Sequence, residues 1–350
     1  MSDHPNEQQG VNVLDSVTHD LRQDSADAFL TVEQIKGYVD EFVQDPDIHS
    51  FFGNQPVWSS QEYMDKLTTI PDLMDLVKTP NLLAVTLRAL PKVVNPRQDL
   101  VDIRIVRVDL YDKFVEQWFA LSLRRLESSV LSSVEREALT DLIKDGFVTQ
   151  GINFLKRLAD SIFTKQSGDP VLRYTHIRDK DTWKAEFFGS DPKIRLLREA
   201  SPLTSTVDTF RFSHLSILEY FFSCVIFSPA KRDPHDKAGP TDVQSFDPDC
   251  PLLTRNLLSE PSVLRFLSDR VQKGSEFEVQ LREVIEKSKS DPSFATATAN
   301  AITILIRAGV RFNRADLRGI RVPGADLSGR KFDSAQLREA DLAGVNLARS

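Results

Sequence analysis

The amino-acid sequence indicates a mainly α-helical, multidomain protein that ends in a solenoid of short repeats. Three patterns lead to this assignment. Apolar residues recur at helical spacing over residues 31–227 and again over residues 251–308. A polar segment rich in Pro and Asp separates these two regions. From Phe312 onward a hydrophobic residue returns every five positions, a period that matches neither an α-helix nor a β-strand.

The N-terminal part divides into a polar tail and a helical segment. Residues 1–30 lack apolar periodicity, and we expect them to form a mobile tail. Residues 31–95 begin with Thr31 and, three positions later, a glutamine, which is the pattern of a capping box. Three short helices are predicted to follow the first one. Pro80 would lie in the first turn of the last of them, and Pro91 is expected to end it.

Residues 96–227 are predicted to form a larger helical and winged-helix-like region. Its first helix carries aromatic residues at helical spacing, which predicts a buried face: Tyr111, Phe114, Trp118 and Phe119. A long helical stretch follows, with interruptions expected near Gly146 and Gly151. Short apolar pieces between residues 166 and 213 then predict a β-hairpin. Helices followed by a hairpin and one more helix are typical of a winged-helix module.

A linker and a helical connector lead from this region to the repeats. Residues 228–250 are polar and rich in Pro and Asp, and are predicted to be the linker. Residues 251–308 show several amphipathic helical patterns. The last of these helices runs directly into the repeats, so we expect it to cover the first coil.

The five-residue period over residues 309–350 predicts a coil. On an α-helix, steps of five would scatter the hydrophobic residues around the cylinder, and on a strand they would alternate between faces. All can point inward only if the chain turns once per five residues, so that four units close one square coil and stacked coils form a solenoid. The predicted inward residues are Phe312, Leu317, Val322, Leu327, Phe332, Leu337, Leu342 and Leu347.

This array resembles the pentapeptide-repeat family, whose A(D/N)LXX unit appears as "ADLRG", "ADLSG", "AQLRE" and "ADLAG". The resemblance implies a right-handed quadrilateral β-helix of two coils. Arg330 replaces the small residue that precedes the inward position by two, so a distorted corner is expected there. The array reaches Ser350 without a polar capping element, which suggests that a longer protein would continue from this point.

Composition argues against several functional classes. The net charge of −7 disfavours a nucleic-acid or anionic-membrane partner. No apolar run is long enough to span a bilayer, and the polar N-terminus does not have the pattern of a signal peptide. The two cysteines, Cys224 and Cys250, are expected to be free thiols in a reducing compartment. These features predict a cytoplasmic protein that binds neither nucleic acid nor membrane.

The sequence contains no recognisable catalytic apparatus. A phosphate-binding loop of the form GxxxxGK[ST] is absent, as are a Walker B carboxylate pair, GxSxG, HExxH and paired CxxC motifs. The helix "SHLSILEYFFSCVIF" has no Lys or Arg, which argues against a DNA-reading winged helix. We therefore predict that the chain is not an enzyme and holds no metal.

Two further segments resemble NACHT-type NTPases of the STAND class. "IPDLMDLVKTPNLLAVTLRALP" is similar to the segment that follows the nucleotide-binding core, and "FRFSHLSILEYFF" is similar to the FxHxxxxEFF motif of the family's winged helix. The resemblance implies that Pro80 contacts the adenine and that His214 senses the β-phosphate of ADP. The P-loop would precede residue 30, so ATP or ADP is a cofactor only if a separate NTPase core supplies that loop.

Two functions fit these patterns. The first is the non-catalytic regulatory or scaffold part of a NACHT/STAND-type signalling protein. Its repeats would bind protein partners, associate with an NTPase core, or act as a spacer before further C-terminal repeats such as WD40 propellers. The alternative is a stand-alone helical adaptor that binds protein partners and no nucleotide. A third class, a hydrolase, would require a deep pocket in which carboxylates and a histidine of shifted pKa converge.

Overall fold

The computed structural model describes residues 30–45, 58–70, 73–94, 105–227, 248–328 and 332–348. Most of the predicted N-terminal tail, most of the 228–250 linker and the corner at Arg330 lie outside these residues. The described chain is mostly helical and carries the repeats at its C-terminal end. It divides into two compact units, one of residues up to 155 with 168–217, and one of residues 156–167 with 218–350.

Unit 1 contains helices and one small sheet. The helices in chain order are α1 (Val32–Gln44), α2 (Ser60–Thr69), α3 (Leu73–Leu76), α4 (Pro80–Val93), α5 (Arg107–Ser128), α6 (Ser133–Lys144), α7 (Phe147–Gln166), α8 (His176–Asp179), α9 (Ala185–Phe188) and α10 (Pro192–Ala200). The strands are β1 (Leu172–Arg173), β2 (Leu203–Ser205) and β3 (Thr209–Phe212). Helix α7 extends from unit 1 into unit 2, and so does the next helix, α11 (Leu215–Ile226).

Capping boxes start three of these helices. Thr31 precedes α1, Ser59 precedes α2 and Ser132 precedes α6; each hydroxyl accepts the backbone N–H of a Gln or Glu three residues later, whose side chain accepts the cap residue's own N–H. Each box satisfies two backbone donors that the helix itself leaves open. The predicted box at Thr31 is confirmed.

The expectation that Pro91 ends its helix is wrong, because α4 continues to Val93. A proline inside a helix leaves the carbonyl four residues earlier without its usual donor. Here that carbonyl belongs to Leu87, and the buried Tyr63 hydroxyl of α2 donates to it over 3.0 Å. A side chain from another helix thus replaces the missing backbone bond.

Helix α5 supplies the core of unit 1 and holds the end of α10. The predicted buried face is present, since Tyr111, Phe114, Trp118 and Phe119 are each at most 1% exposed. The Trp118 indole N–H and the Ser122 hydroxyl both donate to the carbonyl of Ala200, each at 2.9 Å. These donors satisfy a carbonyl at a helix C-terminus, where no intrahelical partner remains.

Of the two interruptions predicted between α6 and α7, one is present. The chain breaks at Gly146, whose φ of +86° favours glycine. The second prediction is wrong, because α7 runs through Gly151 without a break. A Cβ at Gly151 would lie 2.3 Å from Cε1 of the buried Phe119 ring. Glycine is required here by the close approach of that ring and not by a turn.

The predicted hairpin is present as β2 and β3, and a third strand joins it. The sheet is antiparallel with the order β1-β3-β2. Strand β1 has only two residues, which is too short for an alternating pattern to show in the sequence.

Unit 2 packs helices around a buried polar residue. Its helices are α12 (Pro251–Thr254), α13 (Pro261–Lys273), α14 (Ser275–Ser290) and α15 (Ala295–Arg307), with a short 3₁₀ turn before α15. Asn300 of α15 is fully buried; its Nδ2 donates to the carbonyls of Leu252 and Arg255, and its Oδ1 accepts the N–H of Leu257. The apolar part of the core includes the stacked rings of Phe163 and Phe222, 3.9 Å apart.

Candidate functional site

Each described repeat unit closes a tight turn at its corner. The backbone N–H of Ala315 donates to the carbonyl of Phe312, and bonds of the same kind recur at five-residue steps. The third residue of each turn has a positive φ between 58° and 72°, as type II turns require: Arg314, Gly319, Gly324, Ser334, Glu339 and Gly344. Glycine at three of these six positions removes the steric cost of that conformation.

Residues twenty positions apart pair in parallel. The bridges join Asp316 to Gln336, Arg321 to Asp341, and Asp326 to Asn346. On the first side, the N–H of Leu317 donates to the carbonyl of Gln336, and the N–H of Gln336 donates to the carbonyl of Ala315. Four units of five residues therefore separate one chain level from the next. We refer to residues 312–328 as the first level and to residues 332–348 as the second.

The two levels differ in how far their inward side chains are buried. Phe312, Leu317, Val322 and Leu327 of the first level are at most 3% exposed. At the equivalent positions of the second level, Phe332, Leu337 and Leu342 are half-buried and Leu347 is 48% exposed. The first level is covered on both sides, by the helices and by the second level, whereas among the described residues the second level has a chain level on one side only.

Helices α14 and α15 form the base on which the first level rests. Lys289 at the end of α14 donates from Nζ to the carbonyl of Asp316 over 2.8 Å, and the Arg321 guanidinium donates to the carbonyl of Ser288. From α15, the Thr303 hydroxyl accepts the N–H of Asp326 at 3.1 Å, and Arg307 pairs with the Asp326 carboxylate. These bonds satisfy polar groups that a solenoid end otherwise exposes.

Two aspartates of the first level have lowered pKa values. Hydrogen bonds from Arg318 hold the pKa of the exposed Asp316 carboxyl well below its usual range. At Asp326, burial acts to raise the pKa, but hydrogen bonds from Ser328 and the nearby Arg307 guanidinium outweigh it and leave the pKa lowered. Both carboxylates therefore stabilise the folded array while they are charged.

We expect the contribution of Asp326 to depend on pH. A carboxyl with a lowered pKa stabilises the fold above its unfolded pKa, about 4 for Asp, and this stability is lost as the pH falls through the lower folded pKa. The thermal unfolding midpoint of Asp326→Asn should therefore lie below that of the wild type at neutral pH, and the difference should vanish in acid. A difference that stays constant with pH in calorimetry would contradict this assignment.

Pro80 and His214 lie at the starts of two different helices. Pro80 is the first residue of α4 and has no unusual geometry for a first-turn proline. His214 precedes α11 and is half-buried; its Nδ1 accepts the backbone N–H of Ser216 at 3.0 Å and lies 2.7 Å from the Ser216 hydroxyl. That hydroxyl accepts from Tyr111 of α5 at 2.6 Å.

These bonds fix the protonation of the histidine ring. Nδ1 accepts a backbone N–H and so carries no proton, which leaves the proton of the neutral ring on Nε2. The Ser216 hydroxyl, which accepts from Tyr111, is then the donor to Nδ1. His214 thus accepts a backbone N–H at the start of α11 through Nδ1, and the neutral ring carries its proton on Nε2.

Two cations, Arg270 and Lys156, lie near Cys224, and the sequence did not predict this cluster. The Arg270 guanidinium donates to Sγ of Cys224 at 3.7 Å and lies over the ring of Phe227, 5.0 Å from its centroid. Burial lowers the pKa of Lys156, and Arg270 acts in the same direction, while Cys224 opposes them. These residues lie on three helices far apart in sequence, so no motif could have revealed them. Neither Cys224 nor Cys250 forms a disulfide.

The described residues of unit 2 line cavities, among them these two. One, of about 220 Å³, is lined by Phe227, Arg270, Lys273 and Phe277. The other, of about 400 Å³, is lined by Leu253, Val284, Lys287 and Phe294. Neither is a place where carboxylates and a histidine converge.

Within the described ranges, no cluster of His, Cys, Asp or Glu could hold a metal ion. No helix among the residues that the structure describes is long and apolar enough to cross a membrane.

Comparison with known proteins identifies the array. Pentapeptide repeats match residues 311–349 in eight copies. No curated protein matches the chain. The chain therefore carries a pentapeptide-repeat module at its C-terminal end, and such repeats suggest a protein-interaction module. The resemblance of residues 30–230 to NACHT-type NTPases stays a prediction.

Proposed function

We propose that this protein is a non-catalytic scaffold of a NACHT/STAND-type signalling system, and that its repeats form a right-handed quadrilateral β-helix that serves as a docking surface or a spacer. The observation that carries the proposal is the twenty-residue pairing of the repeats on the α14–α15 base. Side chains on a coil held in this way lose little conformational entropy when a partner binds, which favours protein docking.

The NACHT/STAND part of the proposal rests on the region before the linker. The order helix, strand, helices, strand, strand over α7 to β3, with the sheet order β1-β3-β2, is consistent with a winged helix. Helix α11 follows this hairpin directly, and His214, where the family's motif has its histidine, immediately precedes its first residue. His214 is half-buried and is bonded at the start of α11, which leaves part of its ring accessible to a ligand.

His214 would act as a hydrogen-bond donor. With its proton on Nε2, the ring can donate to a phosphate oxygen without losing the bond between Nδ1 and the N–H of Ser216. Pro80 would contact the adenine from the start of α4. Because the sequence has no P-loop, we propose that this chain hydrolyses no nucleotide, and that ATP or ADP binds only where an NTPase core in the cytoplasm supplies the phosphate cradle.

Two substitutions separate the sensing role of His214 from its structural role. In His214→Asn, the amide oxygen can still accept the N–H of Ser216, but the donor at the Nε2 position is lost. In His214→Gln, an amide N–H reaches the Nε2 position and the bond to Ser216 is lost. A hydrogen bond to a charged group contributes about 1.5–3 kcal/mol, so Asn should weaken ADP-dependent capture of an NTPase core by about tenfold or more, and Gln should weaken it less.

The measurement is affinity capture of protein partners by the whole chain, with and without ADP. Recovery of a P-loop NTPase that depends on ADP, and that Asn reduces more than Gln, supports the proposal. Partners that bind no nucleotide, captured equally with either variant and without ADP, would instead favour the stand-alone adaptor. ADP hydrolysis or tight ADP binding by the chain alone would contradict both.

A further inference from the structure

The smaller of the two cavities in unit 2 combines aromatic walls with two cations. It encloses about 220 Å³. Phe227, which directly follows α11, and Phe277 of α14 form the aromatic part, and their rings meet edge-on with centroids 5.2 Å apart. Arg270 and Lys273 come from the last turn of α13. Distant parts of the chain thus bring two rings and two positive charges to one place.

Packing restricts the guanidinium of Arg270. It lies over the ring of Phe227, 5.0 Å from the centroid, and Nη2 donates to Sγ of Cys224 at 3.7 Å. A guanidinium held against an aromatic face keeps its N–H donors in one plane, where a carboxylate can accept two parallel bonds. A thiol sulfur is a much weaker acceptor than a carboxylate. Arg270 is therefore suited to bind a planar anion of the carboxylate type.

Positive charge exceeds negative charge at this cavity. Among the described residues that line it, Arg270 and Lys273 are basic, and one residue, the exposed Glu276, is acidic. The start of α14 adds a partial positive charge, because its cap residue, Gly274, has no side chain to bond the first N–H groups. These charges favour an anion over a neutral ligand of the same shape.

The volume of the cavity limits the size of its ligand. Benzene fills an apolar cavity of about 150 Å³, so about 220 Å³ has room for one aromatic ring and a carboxylate. Sites for drug-sized ligands are larger, at about 300–1,000 Å³. The aromatic walls suit the ring of such a ligand, since aromatic pairs are stabilised beyond the area that they bury.

We propose that this cavity binds a small aromatic carboxylate. The ring lies against Phe227 and Phe277, and the carboxylate accepts from Arg270, with Lys273 as a second positive charge. All of these residues belong to unit 2. The proposal is independent of the roles proposed for the repeats and for His214.

Phenylacetate is the probe, and ligand-observed NMR on the whole 350-residue chain measures its binding. A ligand of about ten non-hydrogen atoms should bind with a dissociation constant on the order of 1 mM or below. 2-Phenylethanol has no charge and acetate has no ring, so each should bind about tenfold more weakly or less. Equal binding of 2-phenylethanol would overturn the preference for an anion, and equal binding of acetate would overturn the role of the rings.

Two substitutions of Gly274 test the position of the carboxylate. Its φ of −162° is extended backbone that any residue adopts, and a Cβ there would meet nothing within 4 Å. Asp and Asn are both better helix caps than Gly, so both variants should fold. They differ by one negative charge at the cavity wall. Gly274→Asp should therefore bind phenylacetate about threefold to tenfold more weakly than Gly274→Asn, while 2-phenylethanol should not distinguish them. Equal phenylacetate affinities would overturn the proposed geometry.

Arg270→Gln removes the proposed partner of the carboxylate and should weaken phenylacetate binding by about tenfold or more. Thermal unfolding of this variant shows whether it is folded, and the Gly274 pair decides the question if it is not. Lys287→Gln is the matched control, because Lys287 lies 5.8 Å from the ring centroid of Phe294 at the other cavity. Its affinity should equal that of the wild type. Weakening by Lys287→Gln and not by Arg270→Gln would overturn the site, as would an absence of phenylacetate binding to the wild type at millimolar concentration.

Discussion

Replacing Gly151 by alanine should destabilise unit 1 by about 1–3 kcal/mol, the usual cost of forcing an extra methyl group into a packed core. The new Cβ would lie 2.3 Å from Cε1, 2.6 Å from Cζ and 2.7 Å from Cδ1 of Phe119. That ring is fully buried and packs edge-on against Phe147, so it has little room to move. Chemical denaturation followed by tryptophan fluorescence measures the change, because Trp118 lies one position before Phe119.

Gly37→Ala is the matched control for this substitution. Gly37 lies inside helix α1, and a Cβ there would meet nothing within 4 Å. Alanine is favoured over glycine by about 1 kcal/mol within a helix, so this variant should be as stable as the wild type or more so. Opposite signs for the two variants would show that packing, and not the intrinsic preference of glycine, decides the effect at Gly151. A stabilising Gly151→Ala would contradict the described contact.

Leu317→Ala should strongly destabilise the array. Leu317 is 3% exposed and lies between the helical base and the second level. Truncating a buried leucine to alanine costs about 2–5 kcal/mol, through lost burial and the cavity left behind. We expect faster hydrogen exchange throughout residues 312–348, measured by mass spectrometry on peptides of the array.

Leu347→Ala makes the same truncation at an inward leucine of the second level. Leu347 occupies the equivalent repeat position but is 48% exposed, so its truncation should cost about 1 kcal/mol or less. The two variants carry the same chemical change at the same place in the five-residue unit, but they lie in different chain levels and on different sides of the coil. Equal effects would mean that the two levels are equally covered, against the described difference in burial.

Local signals in the sequence were sufficient for much of this fold. The capping box at Thr31 and Gln34, and the buried aromatic face of α5, depend on residues within one or two turns of each other. The five-residue period likewise placed Phe312 and the residues that follow it at equivalent positions, because each unit repeats the same turn. In such cases, the residues that determine the structure are neighbours along the chain.

Other features depend on residues that the sequence holds far apart. Pro91 stays within α4 because Tyr63, 24 positions from Leu87, replaces the missing donor. Gly151 stays within α7 because the ring of Phe119 leaves no room for a Cβ. The Ser216 hydroxyl donates to His214 because it accepts from Tyr111, 105 positions away. A sequence pattern records which residues are adjacent in the chain, and these three outcomes follow from which side chains packing brings within a few ångströms.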